Sequence, residues 1–274
     1  MTSAPDLTDR AALLRNRLRA SGDPALFLHE DVADNIQQRL SEVNKAFTSP
    51  AVVTGFPRVW TARMPQARIA PDDDLLALKP QAHDLIIHML ALHWAGDPVG
   101  QLVQCRRALR PDGLFIGALF GGATLHELRT CLTGAEAELS GGMSARVAPM
   151  ADVRALGGLL QRAGFAMPVA DAGTRTVLYG DFFGLLHDLR AMGEGNALQA
   201  RRRRATGRAL FARAGARYEA AFARPDGRLP ATFEVITLTG WAPAAGQPRP
   251  LRPGSAVARL ADAVGGREFS PGGS

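Results

Sequence analysis

Two kinds of hydrophobic pattern alternate along this chain. Residues 51–54, 84–90 and 114–120 are near-continuous apolar runs, the mark of strands covered on both faces of a parallel sheet. Between the last two, the spacing turns helical. Asp97 is placed to cap a helix with Pro98 at its first position, and Val99, Leu102, Val103, Arg106 and Leu109 share one face of it. Arg110-Pro111-Asp112-Gly113 ends that helix in a turn. Residues 83–124 therefore read strand, polar break, helix, turn, strand, one βαβ unit of a doubly wound sheet. Ligands of such sheets sit outside the carboxyl ends of the strands. His93, Trp94, Gly121 and Gly122 fall at such ends.

The flanking segments extend the α/β pattern. Residues 1–22 read as a helix with Leu13, Leu14 and Leu18 as its apolar stripe, and residues 33–47 as a second, with Ile36, Leu40 and Val43 inward. Ser49-Pro50 breaks it, and residues 67–70 form a short strand before Asp72-Asp73-Asp74. Residues 126–139 should be helical and 141–149 a loop, with Pro149 opening a helix that Gly164 stops. Residues 165–170 and 175–179 read as strands, 182–192 and 205–222 as helices, and 231–241 as a last strand. The expected division is a helical segment over 1–48, a sheet domain over 49–241 with a helical insertion at about 181–230, and a Pro/Gly-rich flexible tail over 242–274 with a short helix at 255–264.

Composition narrows the class. The chain has 274 residues, 46% hydrophobic and 21% charged, enough for one large domain with a sizeable core. No run approaches the roughly 18 consecutive apolar residues of a membrane span. The first residues lack a secretory apolar region, so the expected location is cytoplasmic. Cys105 and Cys131 have no Cys or His partners at ligand spacing, so no zinc site is expected. The six histidines do not mark out the two-His, one-carboxylate set of a non-haem iron site.

Formal net charge is +6, and Lys45 and Lys79 are the only lysines among 32 basic residues. The visible cluster is Arg201, Arg202, Arg203 and Arg204. It reads as the solvated face of a surface helix, or as a docking site for an acidic protein partner. Nucleic acid is the weaker option, because no aromatic residues interleave the run to stack bases.

The words HDLIIHMLALHW, LRPDGLFIGALFGGATLHELR and LRAMGEGN resemble the class I S-adenosylmethionine-dependent methyltransferases. The branch they are most similar to holds the BioC-type carboxyl methyltransferases and the mitochondrial complex I assembly factor regarded as a protein-arginine hydroxylase. The resemblance covers roughly residues 25–241. It implies a Rossmann-like sheet with an antiparallel last strand, S-adenosyl-L-methionine as cofactor, and transfer of a methyl group to a small-molecule, carrier-bound or protein side-chain acceptor. The branch also leaves open arginine hydroxylation, or a methyltransferase fold kept as a non-catalytic assembly protein for respiratory complex I.

Two departures from the family pattern stand beside it. Such a fold places a glycine-rich turn after its first strand, so that the backbone can approach the cofactor without a Cβ in the way. Here Gly55 is the only glycine, followed by Phe56 and by Pro57, which lacks a backbone donor. Sixteen residues, Phe56 to Pro71, then separate Gly55 from the acidic cluster. Helices of about 10–12 residues and strands of 5–6 do not fit twice into that space, so one β-α step is shortened.

The resemblance puts Asp72 on the carboxylate that faces the adenine amino group, and Gly55, Met89 and Leu90 on the cofactor side of the pocket. His93 and Trp94 fall where cofactor and substrate meet: the indole offers a stacking face and the imidazole a proton relay. Gly121, Gly122, Glu127, Glu194 and Asn196 fall on the substrate side. Each has a bland counterpart. Asp72 also reads as a solvated turn, His93-Trp94 as a packed sheet end, Gly121-Gly122 as a tight turn, and His88 as a satisfied core histidine.

Overall fold

The computed structural model describes residues 7–247. Six strands form one sheet: β1 (Pro50–Thr54), β2 (Arg68–Ala70), β3 (His83–Met89), β4 (Leu109–Phe120), β5 (Ala166–Tyr179) and β6 (Leu229–Trp241), in the order β2-β1-β3-β4-β6-β5. β1 is parallel to β2 and β3, β3 to β4, and β6 runs antiparallel to both β4 and β5. This is the Rossmann-like methyltransferase sheet with its reversed last strand. The shortened step is real. Between β1 and β2 the described chain has only α3 (Arg58–Thr61), a single turn.

Helices cover both faces. On one lie α2 (Phe27–Glu42), α5 (His126–Ser140), α7 (Phe182–Ala191) and α8 (Arg208–Phe222), the last two forming the insertion before β6. Leu28, Val32, Leu128, Leu185 and Tyr218 of these helices bury Val52, Leu85, Ile87 and Ile116 of the strands. On the other face Leu102 and Cys105 of α4 (Pro98–Ala108) and Leu156 and Leu160 of α6 (Val153–Arg162) meet Val53, Ile86, Phe115 and Leu119. Odd and even strand positions thus serve opposite cores, which is why these strands read as unbroken apolar runs. Each such side chain contributes about 1.5–3 kcal/mol on burial. No helix among the described residues is long and apolar enough to cross a membrane.

Several boundaries differ from the sequence reading. In α1 (Arg10–Ala20) only Leu13 of the expected stripe turns inward, while Leu14 and Leu18 are exposed and Arg17 is buried. Its inward face packs Ala12 and Leu13 against Trp94, Ala197 and Leu198, and Arg17 takes the next inward position because Asp72 lies opposite it. α2 begins at Phe27 because Leu28, Val32 and Ile36 form its buried stripe, four residues apart. Arg110-Pro111-Asp112-Gly113 lies inside β4 as a bulge. Asp112 has φ +60°, and the pairing with β3 jumps from His83–Leu109 to Leu85–Leu114. α6 starts at Val153, capped by the Asp152 carboxylate on Ala155 N, rather than at Pro149. β5 is one strand with a bulge between Ala166 and Val169, not two. The arginine cluster lies in the connection ahead of α8, not on a helix.

Residues 7–243 form one compact unit, and residues 244–247 belong to a second, with Ala244 N donating to Gln247 Oε1. The expected helix at 255–264 lies outside the described residues.

Candidate active site

β1, β3 and β4 end side by side, with Thr54 opposite Met89 and Met89 opposite Ala118. Leu90 then takes the left-handed conformation, φ +42°, while its N–H donates to Ala118 O at 2.8 Å. That sharp turn carries the chain across the strand ends into a 3₁₀ turn, Leu92–Trp94. His93 and Trp94 are both buried there.

Their partner is 100 residues away. Trp94 Nε1 donates to Glu194 Oε2 at 2.8 Å, and His93 Nε2 stands 3.4 Å from the same oxygen. Burial raises the affinity of the Glu194 carboxyl for its proton. The His93 contact and the fields of Arg17 and His29 outweigh it and hold the carboxyl below its ordinary range. Glu194 gets there because Gly193, at φ +74°, turns the chain where a Cβ would meet Phe56 Cζ at 3.0 Å and Arg17 Cα at 3.2 Å.

Beside this cluster lies the cradle the resemblance assigns to the cofactor. Asp72 is 3% exposed, and Arg17 Nη1 donates to its Oδ1 at 2.6 Å. Arg10 reaches Oδ2 at 3.4 Å and the Asp72 carbonyl at 2.7 Å. Desolvation raises the Asp72 pKa, but the Arg17 charge and hydrogen bond override it and the carboxyl sits below its ordinary range. Arg17 also lies 5.9 Å above the Phe56 ring. A Cβ at Gly55 would lie 2.4–2.7 Å from three atoms of the Arg17 guanidinium. In this conformation the Arg17 guanidinium fills the space over Gly55 that the resemblance gives to S-adenosylmethionine. Both Asp72 oxygens are engaged by arginine.

On the far side of Trp94 a cavity of about 390 Å³ opens, with Trp94, Phe120, Leu128, Glu194, Asn196 and Phe233 among its walls. That volume suits a small ligand or a side chain. The cavity adjoins the Glu194 cluster. α1 contributes Asn16 and Arg19 to its wall.

The other expected residues divide. Met89 and Leu90 are buried at the end of β3. Asn196 lines the cavity while its amide donates to Ala145 O at 2.8 Å and its oxygen accepts from Leu198 N. Gly121 abuts β6 instead: a Cβ would meet Glu234 Oε2 at 2.4 Å. Gly122 has no neighbour closer than 3.5 Å to such a Cβ. Glu127 ties α5 to β6 through the Thr232 hydroxyl and amide. His88 is a core histidine, with Nε2 2.9 Å from Gln101 Oε1. Cys105 is buried with its thiol pushed up to about 12, an inert side chain. Arg201 is held by Asp9 at 2.8 Å, and Arg203 lies 3.4 Å from the same carboxylate. Among the described residues no group of His, Cys, Asp and Glu could hold a metal ion.

Sequence reasoning missed Arg10, Arg17 and His29. The available signal was the helical spacing of Arg17, four residues after Leu13 on the face that turns inward.

The strand order and the reversed β6 are those of the Rossmann-like methyltransferase fold, with a cavity at the strand ends. No family model matches the chain. Arginine-hydroxylase NDUFAF5, mitochondrial, of Danio rerio is 37% identical over 202 residues, 74% of this chain and 63% of that protein. Malonyl-[acyl-carrier protein] O-methyltransferase of Halorhodospira halophila (strain DSM 244 / SL1) is 36% identical over 205 residues, 74% of this chain and 67% of that protein. A solved structure, phosphoethanolamine N-methyltransferase 2 of Haemonchus contortus in complex with S-adenosyl-L-methionine, aligns with TM-score 0.42 and 9% identity over 77% of this chain and 53% of that one. The chain belongs to the family of the malonyl-[acyl-carrier protein] O-methyltransferases, and it is similar to the arginine hydroxylases. It spans between 45% and 63% of the length of the arginine hydroxylases it matches.

Proposed function

We propose that the chain acts as a methyltransferase-type protein of the BioC and complex I assembly-factor kind. It takes a small-molecule, carrier-bound or protein side-chain acceptor into the cavity and modifies it beside Glu194. The observation that carries this reading is the buried Glu194 carboxylate in the cavity wall, held by Trp94 Nε1 and His93. A desolvated anion fixed by two neighbours orients a donor group on an acceptor, and the surrounding walls exclude water. The cofactor that goes with the family is S-adenosylmethionine. To reach Gly55 it must displace Arg17 from Asp72.

A second reading, a non-catalytic assembly protein for respiratory complex I, draws support from the same Arg17–Asp72 contact, which closes the cradle. An acidic protein partner would then meet Arg202, Arg203 and Arg204, which are exposed, rather than Arg201. The cytoplasmic location belongs to these proposals too, whereas the arginine-hydroxylase relatives are named as mitochondrial.

Calorimetric titration of S-adenosylmethionine into the wild type and into Arg17→Ala separates the two. Saturable heat in either protein supports the enzyme. Absence of heat in both at millimolar cofactor, with the fold verified by circular dichroism, eliminates methyl transfer and leaves the assembly role.

A further inference from the structure

The mouth and the interior of the cavity differ in chemistry. Buried walls are apolar, from Phe120, Leu125, Leu128, Leu132 and Phe233. The rim is cationic: Arg19, Arg190 and Arg202 are exposed, with Arg146 and Arg201 half-buried beside them. Carboxylates answer part of this charge. Arg146 pairs with Glu136 at 2.7 Å, Arg202 lies 3.8 Å from the same carboxylate, and Arg201 pairs with Asp9. Arg19 and Arg190 have no carboxylate partner among the described residues. Glu194, also in the wall, is engaged by Trp94 Nε1 and His93 rather than by either arginine.

We infer that the cavity takes a long-chain carboxylate, its head at the arginine rim and its aliphatic body against the apolar walls. It occupies the cavity that the reading above gives to the acceptor, but its head stays at the rim rather than beside Glu194, so this is a binding role that stands apart from that reading. Guanidinium pairs with carboxylate through parallel N–H···O bonds, and a chain of methylenes gains about 0.8 kcal/mol per buried CH₂. An arginine side chain entering by the same mouth meets like charge instead, a repulsive selection against cationic acceptors.

The test is calorimetric titration of the full chain with dodecanoate, dodecanol and dodecylguanidinium, one tail carrying three heads, each below its micelle concentration. Dodecanoate is expected to bind one to one, at least about tenfold more tightly than dodecanol, with dodecylguanidinium weakest. The doubly reversed variant Arg19→Glu/Arg190→Glu, verified as folded by circular dichroism, should lose about tenfold in dodecanoate affinity and narrow the gap to dodecylguanidinium. Equal affinity for the three heads, no binding of dodecanoate, or undiminished dodecanoate affinity in the variant each overturns the inference. No cofactor enters these titrations. Failure here therefore leaves the S-adenosylmethionine result standing, and failure of that titration leaves the ligand class standing.

Discussion

Arg17 Nη1 stands 2.6 Å from Asp72 Oδ1 in the interior, joining two residues 55 positions apart in sequence. Each charge makes the other tolerable where water is excluded, and removing one leaves the other stranded. Arg17→Met should therefore destabilise the fold by about 3 kcal/mol, somewhat relieved by Arg10. Asp72→Asn in the Arg17→Met background should recover much of that loss, because no unpaired carboxylate then remains. Urea unfolding of both single variants and the double variant gives the coupling directly. Additive losses would mean that the two charges do not depend on one another.

Glu194 is the second side chain whose neighbours decide its worth. Glu194→Ala leaves the Trp94 N–H buried without an acceptor, a penalty of about 1–3 kcal/mol before any cavity is counted. Glu194→Gln keeps a carbonyl oxygen for that N–H and should cost less. The ordering wild type, Gln, Ala in unfolding free energy is the expected result. If Gln and Ala cost the same, the Trp94 hydrogen bond contributes nothing.

Strands were legible in the sequence because burial on both faces leaves an unbroken apolar run, as in β1 and β3. Bulges were not: Arg110-Pro111-Asp112-Gly113 has turn chemistry, and only the pairing of β4 with its neighbours keeps it in the strand. The missing β-α step showed in plain residue counts between Gly55 and Asp72. Arg17 did not show. A helical arginine reads as solvent-facing unless its carboxylate is known, and that carboxylate lies on another element. Glu194 was marked by resemblance alone, since its partners His93 and Trp94 are about a hundred residues away. His93 and Trp94 themselves were read from position at a strand end, a rule of topology rather than of local spacing.

Gly193 joins these two clusters and should tolerate little. Its φ of +74° is a conformation side chains rarely adopt, and a Cβ there would press on the Arg17 backbone as well as on Phe56. Gly193→Ala is expected to cost about 1–2 kcal/mol from backbone strain, with the contact adding to it. Gly122→Ala, whose Cβ has room, serves as the control. Matched thermal unfolding temperatures for the two variants would show that the Gly193 turn is not constrained.

His29 gives the fold a pH dependence of known sign. It is buried edge-on against Phe56, with ring centroids 4.8 Å apart. Desolvation lowers its pKa to about 4. Glu194 and Glu30 push the other way, while Arg17 and His93 add to the lowering. A histidine depressed in the folded state takes up its proton first in the unfolded chain. Its contribution is complete above pH 6.5, the ordinary value, and drains away as pH falls toward about 4. Between pH 7 and pH 5 this amounts to about 2 kcal/mol, at about 1.4 kcal/mol per unit below the unfolded pKa. His83 and His88 are lowered too and shift stability with pH in the same direction, so absolute slopes are not diagnostic. The difference is. His29→Gln should flatten the stability-pH curve by about 2 kcal/mol across that range relative to the wild type. Parallel curves for the two proteins in urea unfolding at pH 7, 6 and 5 would remove His29 as the source.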